Sequence, residues 1–230
     1  MLVFANGCSM TMGAELVSPE TDAWPAILAE RMNAPLRNVA LGGAGNDRIV
    51  RTTMTFVAEY LGSGGATNDL FVLIGWTSPD RREVAFSQEE GTADPDQFWI
   101  SLQMHFPPQD APEDLVALRR VIRRSFWSDR ESLTRYLTSV ISLQSFLAAE
   151  GVRHLFTQAL PIAQPHPELT MLRKRVRRDR FAGFDDPSGD FLTFVRAGGF
   201  PSGPDGHPLR AGHRAWAERL AKHVELRWRR

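Results

Sequence analysis

Two hydrophobic periods alternate along this chain, and the switches between them mark its elements. "MLVFA" is a short continuous apolar run broken by Asn-Gly, which reads as a strand entering a loop. In "DAWPAILAERMN" the apolar residues Trp24, Ile27, Leu28 and Met32 fall at helical spacing. Asp22 is placed to cap that helix, and Pro25 sits early enough for its first turn. "PLRNVAL" reads as a second strand running into the turn "GGAGND". "RIVRTTMTFVAEYLG" follows as a helix closing at a glycine. "DLFVLIGW" is apolar on both faces, as a central parallel strand should be. Residues 1–76 thus read β-loop-α-β-loop-α-β, which predicts a parallel sheet with helices packed on it.

The period is then lost. From Thr77 to Pro112 the chain is long, Pro-rich and irregular, so we expect an insertion around 79–112, in the manner of a lid. "PEDLVALRRVIRRSFW" and "SDRESLTRYLTSVISLQSFLAAEG" read as helices. The second opens with a capping box, Ser128 with Glu131, and stops at Gly151. "VRHLFTQAL" is a fourth strand and "LTMLRKRVRRDR" a basic helix. "GGFPSGPDGHP" is a loop, and "LRAGHRAWAERLAKHVELRWRR" is a last helix with Ala215, Trp216, Leu220 and Val224 along one side. The sum is one α/β domain over 1–230, a three-layer α/β/α sandwich around a parallel sheet of about five strands.

Composition narrows the class. Hydrophobic residues are 43% and charged residues 23%, ordinary for a globular protein. Formal net charge is zero, which argues against whole-chain attraction to nucleic acid. The charge is uneven: residues 1–100 carry a balance of −7 and residues 101–230 of +7, and only two of the 27 cations are lysine. The basic runs "RRVIRR" and "LRKRVRRDR" lack aromatic interleaving, so they read as solvated helix faces whose arginines pair with the acidic first half. One cysteine allows no intrachain disulfide. No basic n-region and no long apolar stretch is present, so a cytoplasmic protein without a membrane span is expected. The six histidines are too scattered for a metal site, and no cofactor is expected. His154 reads as structural; His213 and His223 read as solvated or capping.

Chemistry gathers at the strand ends, where open α/β sheets bind ligands. "NGCSMTMG" places two candidate nucleophiles, Cys8 and Ser9, just past the first strand. "NVALGGAGND" puts Gly42, Gly43 and Gly45 past the second, where main-chain N–H groups can meet an oxyanion; the spacing is not a dinucleotide fingerprint. "LIGWTSPDRRE" brings Trp76, Thr77, Ser78 and Arg81 to the same rim. "PDGHPLRAGHRAWAERL" places Asp205 and His207 before the last helix, as a base with an acid to orient it. Trp76, Phe98, Trp99 and Phe106 could line an apolar acyl pocket, though such aromatics also build plain cores.

Together these loops resemble the SGNH/GDSL hydrolase superfamily. "GCSMTMG" resembles its Gly-x-Ser loop, with Ser9 at the nucleophile position and Cys8 demoted to a neighbour. "NVALGGAG" resembles its second mark, with Gly43 as the oxyanion glycine. "IGWT" sits where Gly-x-Asn is expected, and "DGHPLRAGHRAWAERL" resembles the histidine segment, with His207 as base. The marks span residues 6–220, and 79–150 is the least matched part. Three departures stand out. Cys8 replaces the family's aspartate. Thr77 replaces the oxyanion asparagine, a donor worth roughly 3 kcal/mol, which Asn46 or Thr77 itself would have to replace. Asp205 precedes His207 by two residues rather than three, with Asp190 as a distant second choice of acid. The resemblance implies an SGNH-hydrolase, flavodoxin-like fold and acyl transfer from a small ester through an acyl-enzyme on Ser9. Two alternatives are an inactive binding or assembly protein of the same fold, and a biosynthetic acyltransferase. Oligomeric state is not legible.

Overall fold

The structure, a computed structural model, describes residues 1–85, 99–105, 112–162 and 166–228. In chain order the elements are β1 (Leu2–Gly7), α1 (Ser9–Met12), α2 (Pro19–Asp22), α3 (Trp24–Arg31), β2 (Leu36–Asn38), α4 (Asn46–Gly62), β3 (Leu70–Trp76), β4 (Arg81–Ala85) and β5 (Trp99–Gln103). There follow α5 (Glu113–Ser125), α6 (Asp129–Ala149), β6 (Arg153–Gln158), α7 (Thr170–Arg175), β7 (Phe181–Ala182), α8 (Phe191–Ala197) and α9 (Arg210–Trp228).

Five strands form one sheet in the order β2-β1-β3-β6-β7, and all four pairings are parallel. Alternation along the strands divides the core. Val3, Ala5, Phe71 and Leu73 face α3, α8 and α9 and pack with Trp24, Leu28, Phe191, Trp216 and Leu220. Phe4, Leu70, Val72, Ile74 and Trp76 face the other side and pack with Ile49, Val57, Leu133, Leu137 and Val140 of α4 and α6. The result is the three-layer sandwich that the strand-helix alternation predicts. Parallel pairing aims every carboxyl end at one edge, so the loops after β1, β2 and β3 share a rim.

The capping box opens α6, where Glu131 N–H donates to Ser128 Oγ at 3.1 Å. The helix α3 begins later than expected: Ala23 occupies its N-cap, and Asp22 instead pairs with Arg210 at 2.9 Å. The basic stretch is α-helical only over α7, because Val176 turns extended and buries its side chain against the β6 side of the core; a single 3-10 turn, Arg178–Arg180, follows. The fifth strand, two residues long, follows directly after that stretch. Between β3 and α5, β4 and β5 make a separate antiparallel hairpin. Leu102 and Met104 pack with Leu115 of α5 in a small third cluster. The basic runs find partners in their own half: Arg173 and Arg178 both pair with Asp185, and Arg119 donates to main-chain carbonyls, whereas Arg135, outside those runs, reaches Asp47 of the first half at 2.6 Å. Among the described residues, no helix is long and apolar enough to cross a membrane.

Candidate active site

The loop after β1 is built around buried polar anchors. Asn6 has no exposed surface; its amide donates to Thr52 Oγ1 at 2.8 Å and Thr53 Oγ1 at 3.0 Å, fastening β1 to α4. Its Oδ1 accepts from Gly7 N–H at 2.8 Å. Cys8 is extended, fully buried and at the N-cap of α1, so its thiol faces the core. Ser9 is the first residue of that one-turn helix and is half-buried. Its N–H therefore has no acceptor within the helix. Gly13 ends the turn at φ 87°, where only glycine is unstrained, and sends its N–H back to the Ser9 carbonyl at 3.0 Å.

Glu15 follows, itself at φ 66°. Its carboxylate crosses to the loop before α9 and accepts three hydrogen bonds there. They come from Asp205 N–H at 3.0 Å, His207 N–H at 2.9 Å and His207 Nδ1 at 3.0 Å. The main-chain bond from Asp205, partly opposed by burial and reinforced by His207, holds the Glu15 pKa below its usual value. An ionised carboxylate only accepts, so Nδ1 carries the ring proton and Nε2 is left free to act as a base. The loop makes room for this contact: a Cβ on Gly203 would stand 2.4 Å from Glu15 Oε1. The acid at the histidine is thus Glu15 and not Asp205, which is exposed and meets the pair through its main-chain N–H. Asp190 is elsewhere engaged, capping α8 by accepting from Thr193 N–H at 2.8 Å.

Past β2, Gly43 turns at φ 75° beside α1: a Cβ on the neighbouring Gly42 would lie 4.0 Å from Met12 Cε. Asn38 ties the same turn to α1 by donating to the Thr11 carbonyl at 3.1 Å. Past β3 the picture differs from the sequence expectation. Thr77 is fully buried, and its Oγ1 has no hydrogen-bond partner among the described residues. Thr77 N–H donates to Asn46 Oδ1 at 3.0 Å, and the Asn46 amide donates to the carbonyls of Thr77 and Ser78 at 3.4 and 3.3 Å. Asn46, only 2% exposed, therefore splints the main chain after β3, and neither side chain is presented to a ligand.

Of the aromatics at the rim, Trp76 is core, packed edge-on against Tyr136 and Phe156, while Trp99 is partly exposed. Phe98 and Phe106 lie outside the described residues. His154 is buried and structural. His213 is buried rather than solvated, and its Nδ1 accepts the Trp24 N–H at 3.1 Å at the start of α3, a capping role. Burial pushes both rings down to about 4. Glu15 escaped the sequence reading because nothing in "GAELV" marks it, and its partner is 192 residues away.

With this geometry established, comparisons place the chain. Residues 14–230 match the model of a family described as "Family of unknown function (DUF6071)". No curated protein matches. A crystal structure of TesA aligns over 98% of this chain and 99% of its own at 15% identity, with a TM-score of 0.52. The psychrotrophic esterase EstA from Pseudoalteromonas sp. aligns over 98% and 97% at 12% identity and TM-score 0.49. A Slackia heliotrinireducens protein assigned to the SGNH hydrolases aligns over 97% and 98% at 19% identity and TM-score 0.49. At these identities the likeness is one of fold alone: the TesA structure shares the sandwich over nearly the whole of both chains.

Proposed function

The chain belongs to the DUF6071 family, and from its fold and its strand-end loops we propose that it is a serine-dependent acyl ester hydrolase. The observation that carries this reading is the Glu15–His207 pair. A carboxylate six residues past Ser9 holds the histidine, so the base is tied to the segment that begins with the nucleophile. His207 Nε2 takes the Ser9 Oγ proton as that oxygen attacks the acyl carbonyl, and Glu15 stabilises the imidazolium formed. The N–H groups of Ser9 and Gly43 meet the oxyanion. His207 returns the proton to the leaving alcohol, and water, activated by the same nitrogen, then releases the acid from Ser9.

The test is covalent labelling. A fluorophosphonate should modify the protein at Ser9, with labelling abolished in Ser9→Ala and strongly reduced in His207→Ala. A folded protein that never reacts refutes the reading. Burial of Thr77 and the engagement of Asn46 favour one competitor, a binding protein of the same fold without hydrolytic activity. That competitor predicts no labelling. An acyltransferase would label equally but would yield new esters or amides when alcohols or amines are supplied.

A further inference from the structure

A serine hydrolase of this plan is short of one oxyanion donor, because Thr77 and Asn46 both turn inward. The hairpin between β3 and α5 brings another amide to the place. On β5 the side chains alternate: Ile100 and Leu102 point into the small cluster under α5, while Trp99, Ser101 and Gln103 point to the opposite face. Each member of that second face meets the segment that follows β2. The Arg51 guanidinium lies 4.7 Å from the Trp99 ring centroid, and Ser101 Oγ accepts from Gly45 N–H at 3.0 Å. Gln103 reaches Gly43, where an added Cβ would stand 3.3 Å from its Nε2.

We infer that Gln103 supplies the side-chain amide of the oxyanion hole, donating from Nε2 beside the Gly43 main chain. The inference rests on the acyl-hydrolase reading. Three features suit the amide to that task. Gln103 is half-buried, so its amide is shielded yet reachable. Its side chain makes no hydrogen bond to another described residue, so the donor is not committed elsewhere, unlike that of Asn46. Its main chain is fixed from behind: Arg119, 9% exposed, donates to the carbonyls of Gln103 and Met104, both at 2.7 Å. The clamp fixes the strand from which the amide projects, which limits the reorganisation needed to bring the donor to a developing charge. The insertion is then part of the catalytic centre and not only a cover over it.

The experiment compares wild type, Gln103→Ala and Gln103→Glu in p-nitrophenyl acetate turnover, fluorophosphonate labelling rate and thermal melting. Glu keeps the shape of Gln but offers no N–H to an oxyanion. Both variants should lose about 100-fold in kcat, with KM changed by no more than about twofold. Melting temperature should stay near that of the wild type, and labelling should slow in proportion to kcat. Near-wild-type kcat in either variant overturns the assignment while leaving the hydrolase reading standing. So does an Ala defect that Glu repairs, or a loss that follows a fall in melting temperature. A wild type inert to both probes overturns the hydrolase reading itself, and the Gln103 assignment with it.

Discussion

Glu15 is fixed before any substrate arrives, since two of its three donors are main-chain N–H groups of one tight loop. Orientation of the histidine is therefore a property of the resting protein. Glu15→Gln removes the charge that favours the imidazolium and allows the wrong ring tautomer. It should lower kcat by two to four orders of magnitude, roughly the range seen when a triad acid is made neutral. Asp205→Ala leaves the main-chain donor in place and should change kcat by no more than about twofold. Steady-state kinetics on the two variants separates the acid expected from the sequence from the acid seen beside the ring. Equal losses in both would contradict the geometry described.

Among the elements, α1 is a single turn wedged between two strand ends. An added Cβ on Gly7 would stand 2.2 Å from Thr11 Oγ1, and one on Gly75 would stand 2.1 Å from the same atom. Gly75→Ala should therefore destabilise the fold by about 1–3 kcal/mol through overpacking at the base of the Ser9 turn. Gly62→Ala, with open space around it at the end of α4, should be neutral or slightly stabilising. Urea unfolding of the two variants reads the contrast. The elements legible in the sequence are those long enough to show a period, such as β1, β3, α4 and α6. Two are not. β7 has two residues just past an arginine-rich stretch, too few for any alternation, and its burial comes from β6 alongside. The β4–β5 hairpin is hidden because its apolar face is covered by α5 and its other face is spent on polar contacts to α4 and the turn before it. The site divides in the same way. The loops bearing Ser9 and Gly43 are marked by the strand ends they follow, and that of His207 by its Gly-His-Pro turn ahead of a long helix. Glu15 and Gln103 are not, since what singles them out is a neighbour distant in sequence.

Across the whole molecule, the two faces of the sheet each enclose a histidine. His154 lies against Phe156 on the side of α4 and α6, and His213 against Phe191 on the side of α3 and α9. Burial lowers both to about 4, so the folded state resists a proton that the unfolded chain accepts near 6.5. Their neutral forms favour folding fully above pH 6.5, and that advantage drains away as pH falls toward about 4. Melting temperature should hold between pH 8 and 7 and decline steadily below 6.5, and His154→Gln with His213→Gln should flatten the decline. A wild type equally stable at pH 7 and 5 would contradict this. Finally, the contact between Glu15 and the loop of residues 203–207 spans nearly the entire chain. Closing so long a loop is slow and gains nothing until α9 has docked on α3. Under the proposed reading, Ser9 stays an ordinary alcohol until α9 folds back onto α3 and fixes the loop that carries His207. On the hydrolase reading, reactivity at Ser9 therefore arises only once α9 has docked.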